Sequence, residues 1–123
     1  MDRQTFRKLV EEALVDLPPV FAQKLDNVEI VVEDEPSLGT RIKMKLPPWS
    51  TLLGLYEGVP ATKRGSGYTM ALPDKITIYQ KPIEHVSHTP EEIKTTVRRT
   101  VLHEIGHHFG LDEAALKDTK RNF

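Results

Sequence analysis

Apolar residues recur at helical spacing near both ends of the chain and alternate in strand fashion between them. Phe6, Leu9, Val10, Ala13, Leu14 and Leu17 share one face of a repeat of about 3.6 residues, which predicts an opening amphipathic helix. Asp2 is placed to cap it. Pro18-Pro19 stops it, because a proline ring clashes with the preceding turn and brings no N–H. Val20 to Leu25 have room for one or two further turns, with Pro19 at their start. Val28, Ile30 and Val32 then mark one side of a strand, closed by the acidic turn Glu33-Asp34-Glu35-Pro36. Ile42, Met44 and Leu46 alternate with Arg41, Lys43 and Lys45, which predicts a half-exposed strand ended by Pro47-Pro48-Trp49. Thr51 to Tyr56 predicts another strand. Its glycine, Gly54, implies a bulge or a close backbone approach. Gly58, Pro60, Gly65 and Gly67 make residues 57–69 a loop around Lys63 and Arg64. Ile76 and Ile78 alternate in a last strand from Lys75 to Gln80, and Lys81 to His88 reads as a connection.

The closing helix is the best marked. Thr89 suits the N-cap, Pro90 the first helical position, and Glu92, three after the cap, completes a capping box. No further proline occurs before Phe109, and Gly110 can take the left-handed C-cap conformation. Ile93, Val97, Val101 and Ile105 follow at helical spacing, with Leu102 and Phe109 widening the stripe and Arg98 and Arg99 on the wet side. The order of helix, strands and helix predicts an α+β fold with helices on one face of a small sheet.

Composition narrows the field. A chain of 123 residues fits one domain spanning 1–123, and 38% apolar with 28% charged residues is ordinary for a soluble globular protein. A formal net charge of -1 argues against a nucleic-acid partner. There is no cysteine, hence no disulfide framework and no thiolate metal site. No apolar run approaches membrane-spanning length, and MDRQTFRKLV is too charged for a signal segment. The expectation is a cytoplasmic monomer with no membrane partner.

The chemistry concentrates in residues 103–113, HEIGHHFGLDE. His103 and His107 stand four residues apart, so on a helix both imidazoles lie on one face and can reach one ion. Glu104 sits about 100° around the helix, beside the ion rather than on it, where a carboxylate can take a proton from an activated water. The acidic pair Asp112 and Glu113 follows. Two imidazoles and one carboxylate leave a tetrahedral zinc with an open position, the catalytic arrangement. Manganese, iron, cobalt or nickel fit the same set. His108 points about 100° away from His107 and reads as a packing or supporting residue. His85 and His88 read as surface histidines.

This segment resembles the zincin metallopeptidases, and more closely a family of small bacterial zincin-like proteins with a minimal metallopeptidase fold. The resemblance extends through VEIVVEDEP, LLGLYEGVP, LPDKITIYQKPI and VLHEIGHHFGL. It implies a small, twisted mixed sheet packed against an N-terminal helix and an active-site helix. His103 and His107 match metal ligands and Glu104 the general base. Counting from Gly110, the third-ligand position falls on Glu113, with Asp112 as its rival or as an orienter of a ligand histidine. Metzincins place a histidine at the third position and add a methionine-bearing turn; here Met1, Met44 and Met70 all precede the helix. The expected function is zinc-dependent hydrolysis of peptides or unfolded polypeptide. The alternative is a zinc-binding interaction module with weak or no turnover. A hydrolase acting on RNA is disfavoured by the near-zero charge. Tyr56, Tyr68, Tyr79, His85, His88 and His108 are candidates for a second donor to the developing oxyanion. An edge strand at 51–56 or 76–80 is the expected peptide template, the loop 57–69 a candidate lid, and Trp49 a core or lid anchor.

Overall fold

A computed structural model of the chain describes residues 1–58 and 73–110. The elements run α1 (Arg3–Val15), α2 (Pro19–Lys24), β1 (Val28–Glu33), α3 (Leu38–Lys43), β2 (Gly54–Glu57), β3 (Asp74–Tyr79), α4 (Gln80–Val86) and α5 (Pro90–Phe109). The strands form a mixed sheet of order β1-β3-β2. β1 lies parallel to β3, with Val28 opposite Asp74 and Glu33 opposite Tyr79. β2 lies antiparallel to β3, with Gly54 opposite Ile78 and Glu57 opposite Lys75. The architecture is α+β, as the pattern predicts.

The core forms where α1 and α5 meet the sheet. Phe6, Val10 and Ala13 of α1, Val32 of β1, Ile76 and Ile78 of β3, and Ile93, Val97, Val101, Leu102 and Ile105 of α5 make one buried cluster. Each valine, leucine, isoleucine or phenylalanine of this cluster contributes about 1.5–3 kcal/mol when fully buried. Lys94 bridges to Glu12 at 3.7 Å and Arg98 to Asp16 at 3.8 Å, tying the flanks of the two helices. Arg98 is therefore not on the wet side: its side chain retains 12% exposure.

The ends of α5 follow the sequence closely. Thr89 Oγ1 accepts the Glu92 N–H at 3.1 Å. The Glu92 carboxylate reaches past the cap to the His88 N–H at 2.5 Å, so the reciprocal half of the box is displaced by one residue. Gly110 ends the helix in the left-handed conformation, φ 66°. Asp2 caps α1, accepting the Thr5 N–H at 2.7 Å.

Three expectations are corrected. Residues 41–46 are not a strand. Ser37 caps a short helix by accepting the Thr40 N–H at 3.1 Å, and Lys45 takes a left-handed backbone, φ 55°. The Arg41 guanidinium then donates to Pro47 O at 2.9 Å and Ser50 O at 2.7 Å, folding the proline segment back. Alternation over six residues was too short to outweigh the cap. Lys81 to Val86 is helical rather than a connection, because Pro82 lies in the first turn of α4, where no intrahelical N–H is needed. Trp49 anchors no core; it is 87% exposed. Among the described residues no helix is long and apolar enough to cross a membrane.

Gly54 positions β2. A Cβ there would stand 2.7 Å from Thr100 Cγ2 of α5 and 3.0 Å from the Thr77 carbonyl oxygen. The backbone of β2 thus rests directly on α5, the close approach that a glycine within a strand predicts. Replacing Gly54 with Ala is expected to destabilise the fold by about 1–3 kcal/mol, as overpacking does. Adding Thr100→Ser, which removes the nearer contact, should recover part of the loss. Urea unfolding midpoints test this, and an unchanged midpoint for Gly54→Ala would show that β2 does not depend on the contact.

Candidate metal centre

The last two turns of α5 carry His103, Glu104, His107 and His108. The His103 and His107 rings lie side by side, centroids 5.9 Å apart at 66°, and both residues are exposed. Glu104 is half-buried, and its Oε1 accepts the backbone N–H of Tyr56 at 3.0 Å. Burial raises the Glu104 carboxyl above the ordinary carboxylate range; the Tyr56 N–H and the nearby His107 charge pull the other way. One carboxylate oxygen is thus held by the edge of the sheet beside the histidine pair.

Tyr56 is fixed twice more. Its ring stacks on His108 with centroids 3.9 Å apart and planes 22° apart. Its hydroxyl donates to Asp74 Oδ2 at 2.6 Å, and the same oxygen lies 3.9 Å from His108 Nε2. Phe109 meets the edges of both rings, at 6.1 Å from Tyr56 and 4.9 Å from His108. It is 40% exposed, so it widens the apolar stripe less than its spacing predicts.

The candidate oxyanion donors divide. The Tyr56 phenol is turned to Asp74. Tyr79 is buried and hydrogen-bonded to Thr40; burial and the charges of Glu33 and Glu57 raise its pKa. Alternation along β3 sets it on the face opposite Ile76 and Ile78. His88 precedes α5, at the far end from the histidine pair. His85 lies near the end of α4, beside Trp49 and Lys81. His108 packs on Tyr56. Tyr68, Lys63, Arg64 and residues 59–69 of the candidate lid lie outside the described residues, as do Asp112 and Glu113.

Among the described residues no three His, Asp or Glu side chains gather closely enough to hold a metal. The chemistry of the described donors suits two positions of a zinc site, with a third donor still to be supplied. Two exposed imidazoles share a helix face, and a carboxylate fixed by a backbone N–H stands beside them. Against His103, a hollow of about 450 Å³ is lined by Leu53, Val86, Thr96, Arg99 and Thr100.

A family model described as zincin-like metallopeptidase matches residues 25–122. The chain belongs to that family. Among solved structures, the chain is similar to a conserved hypothetical protein from T. thermophilus, at 22% identity and a TM-score of 0.54. The match covers 89% of this chain and 94% of that one, and it supports the fold. No curated protein matches the sequence.

Sequence reasoning missed the contact between Tyr56 and Glu104. A signal for it exists. Gly54, Tyr56 and Gly58 recur at strand period, and Thr100, Glu104 and His108 recur every fourth residue of a helix.

Removing the Glu104 acceptor leaves the Tyr56 N–H without this partner. Glu104→Ala is expected to cost about 1–3 kcal/mol, whereas Glu104→Gln keeps an oxygen in place and should cost less. The raised carboxyl sets the sign of the pH effect. In metal-free protein its protonated form is favoured by folding, so its contribution is full below the unfolded pKa and is lost as pH rises through the folded one. The stability of Glu104→Gln relative to the parent should therefore increase from pH 4 to pH 7 (about the span of a raised carboxyl). Unfolding curves in chelator measure it; a difference that shrinks with pH would contradict the burial of Glu104.

Proposed function

We propose that this chain is a zinc-dependent peptidase acting on extended peptides or unfolded polypeptide. The observation that carries the reading is the half-buried Glu104 carboxylate, held by the Tyr56 N–H beside the His103–His107 pair. Binding an ion needs no such base. His103 and His107 would hold the zinc, with Glu113 as the third ligand by family resemblance and Asp112 as the rival. When bound, zinc would lower the pKa of water to about 7 and polarise a carbonyl.

The chain's own groups do the rest. Glu104 accepts the proton of the attacking water and returns it to the leaving amine. Its raised pKa suits both halves of that task, since a stronger base takes the proton and burial keeps solvent from competing for it. Of the two expected templates, β3 is interior, while β2 pairs only with β3 among the described residues. We take the side of β2 away from β3 as the template; an extended peptide added there would bond strand groups other than the Tyr56 N–H, which Glu104 engages. The hollow adjoining His103 is lined by Leu53, Val86 and the two threonines Thr96 and Thr100, with Arg99 also in its wall, so it suits a substrate side chain with an apolar stem.

Elemental analysis of purified protein should find about one zinc per chain, and His103→Ala and His107→Ala should each lose it. Glu104→Gln should keep the zinc and lose about 10²- to 10⁴-fold in cleavage of a peptide library. No zinc after reconstitution would remove the peptidase reading. Zinc retained with no cleavage by the parent protein would leave the zinc-binding interaction module.

A further inference from the structure

We infer that His108 is a positioning residue: its ring clamps Tyr56 and thereby keeps the Tyr56 N–H on Glu104. The inference rests on the reading of Glu104 as the general base. His108 itself lies on the neighbouring helix face, packed on the end of β2.

The strand that carries Tyr56 needs a clamp. β2 has only four residues and is paired on one side, among the described residues, by β3. Short edge strands fray, with local opening free energies far below that of global unfolding. Two side-chain contacts oppose this at Tyr56. The phenol donates to Asp74 on the neighbouring strand at 2.6 Å, and the ring lies flat on His108 at 3.9 Å. The first ties Tyr56 within the sheet. The second ties it to α5, one turn beyond Glu104, and so bears directly on the distance between the Tyr56 N–H and Glu104 Oε1.

Gly58 supports the assignment. A Cβ there would lie 3.1 Å from His108 Cε1, so the chain leaves β2 directly over the imidazole. The ring thus has Tyr56 against one face and Gly58 close to its Cε1. Stacking needs a flat ring at position 108, and this gives the hypothesis its sharpest test: a phenylalanine should substitute and an alanine should not.

The experiment uses the full ¹⁵N-labelled chain. Hydrogen exchange of the residue 56 amide is measured in the parent, His108→Ala, His108→Phe and Tyr56→Leu. The expected result is exchange at least about tenfold faster in His108→Ala and Tyr56→Leu, parent-like exchange in His108→Phe, and unchanged exchange at Ile76 and Val97. Tyr56→Leu leaves α5 untouched, so it decides the matter should His108→Ala fail to fold. In peptide cleavage, His108→Ala should lower kcat about tenfold or more with KM and zinc content within about twofold, and His108→Phe should restore kcat. Unchanged amide exchange in both ring-removing variants would overturn the clamp, as would parent-like kcat alongside a loosened amide. An inactive parent protein would sink the peptidase reading instead, and the amide exchange would still decide the clamp.

Discussion

A strand laid along a helix in matched register organises this site. Two residues of a strand advance about 6.6–6.8 Å, and four residues of an α-helix advance about 6 Å. Positions 54, 56 and 58 of the strand segment therefore meet positions 100, 104 and 108 of α5 in turn. Gly54 faces Thr100, the Tyr56 N–H faces Glu104, and Gly58 faces His108. Position 54 must be small because a Cβ there would clash with Thr100 and the Thr77 carbonyl, and a Cβ at position 58 would press on the His108 ring. The middle position contributes its N–H to the helix carboxylate and its ring to His108. Without the glycines the strand would stand off, and Glu104 would face solvent alone.

That register resolves two costs together. A half-buried carboxylate is penalised by lost hydration, and a backbone N–H withdrawn from water is penalised for lacking an acceptor. Each group supplies what the other needs. The remaining desolvation is visible in the raised carboxyl, and a base with that property is of use to hydrolysis. The histidines carry no such penalty, since they stay exposed at the end of a helix whose opposite face is anchored by Val97, Val101 and Ile105. The rigid core face and the wet chemical face belong to one helix, so fold stability and site geometry share the same element.

Much of this was legible in the sequence. The capped, glycine-terminated α5, the apolar face of α1, β1 and β3 all declare themselves by period and punctuation, because each spans enough residues for its period to show. The histidine pair and Glu104 follow from spacing alone. The failures lie where elements are short. A six-residue helix at Leu38–Lys43 and a seven-residue helix at Gln80–Val86 offer less than two full turns of pattern, and local caps decide them. Tyr56 was placed correctly on a strand, but its role depends on a backbone N–H, which every non-proline residue carries, and the matched periods of 54/56/58 and 100/104/108 gain meaning only once strand and helix are known to meet. His108 was separated from the ligand pair by helix geometry, while its partner ring lay far away in the chain, beyond any local pattern.

The sheet edges, among the described residues, carry features that discourage aggregation. An unpaired edge offers N–H and C=O groups to any extended chain, and proteins blunt such edges with short strands and charge. β2 is four residues long and ends at Glu57, which lies 3.6 Å from Lys43 and 3.7 Å from Lys75. β1, at the other edge, exposes Glu29 and Glu33. Two copies pairing through β1 bring carboxylates together, which disfavours that contact. At β2 the charge sits at the end of the strand, and the Tyr56 N–H is already engaged by Glu104. The same shortness leaves β2 dependent on its contacts with α5, so the strand that carries Tyr56 and the helix that carries Glu104 are held by one set of interactions.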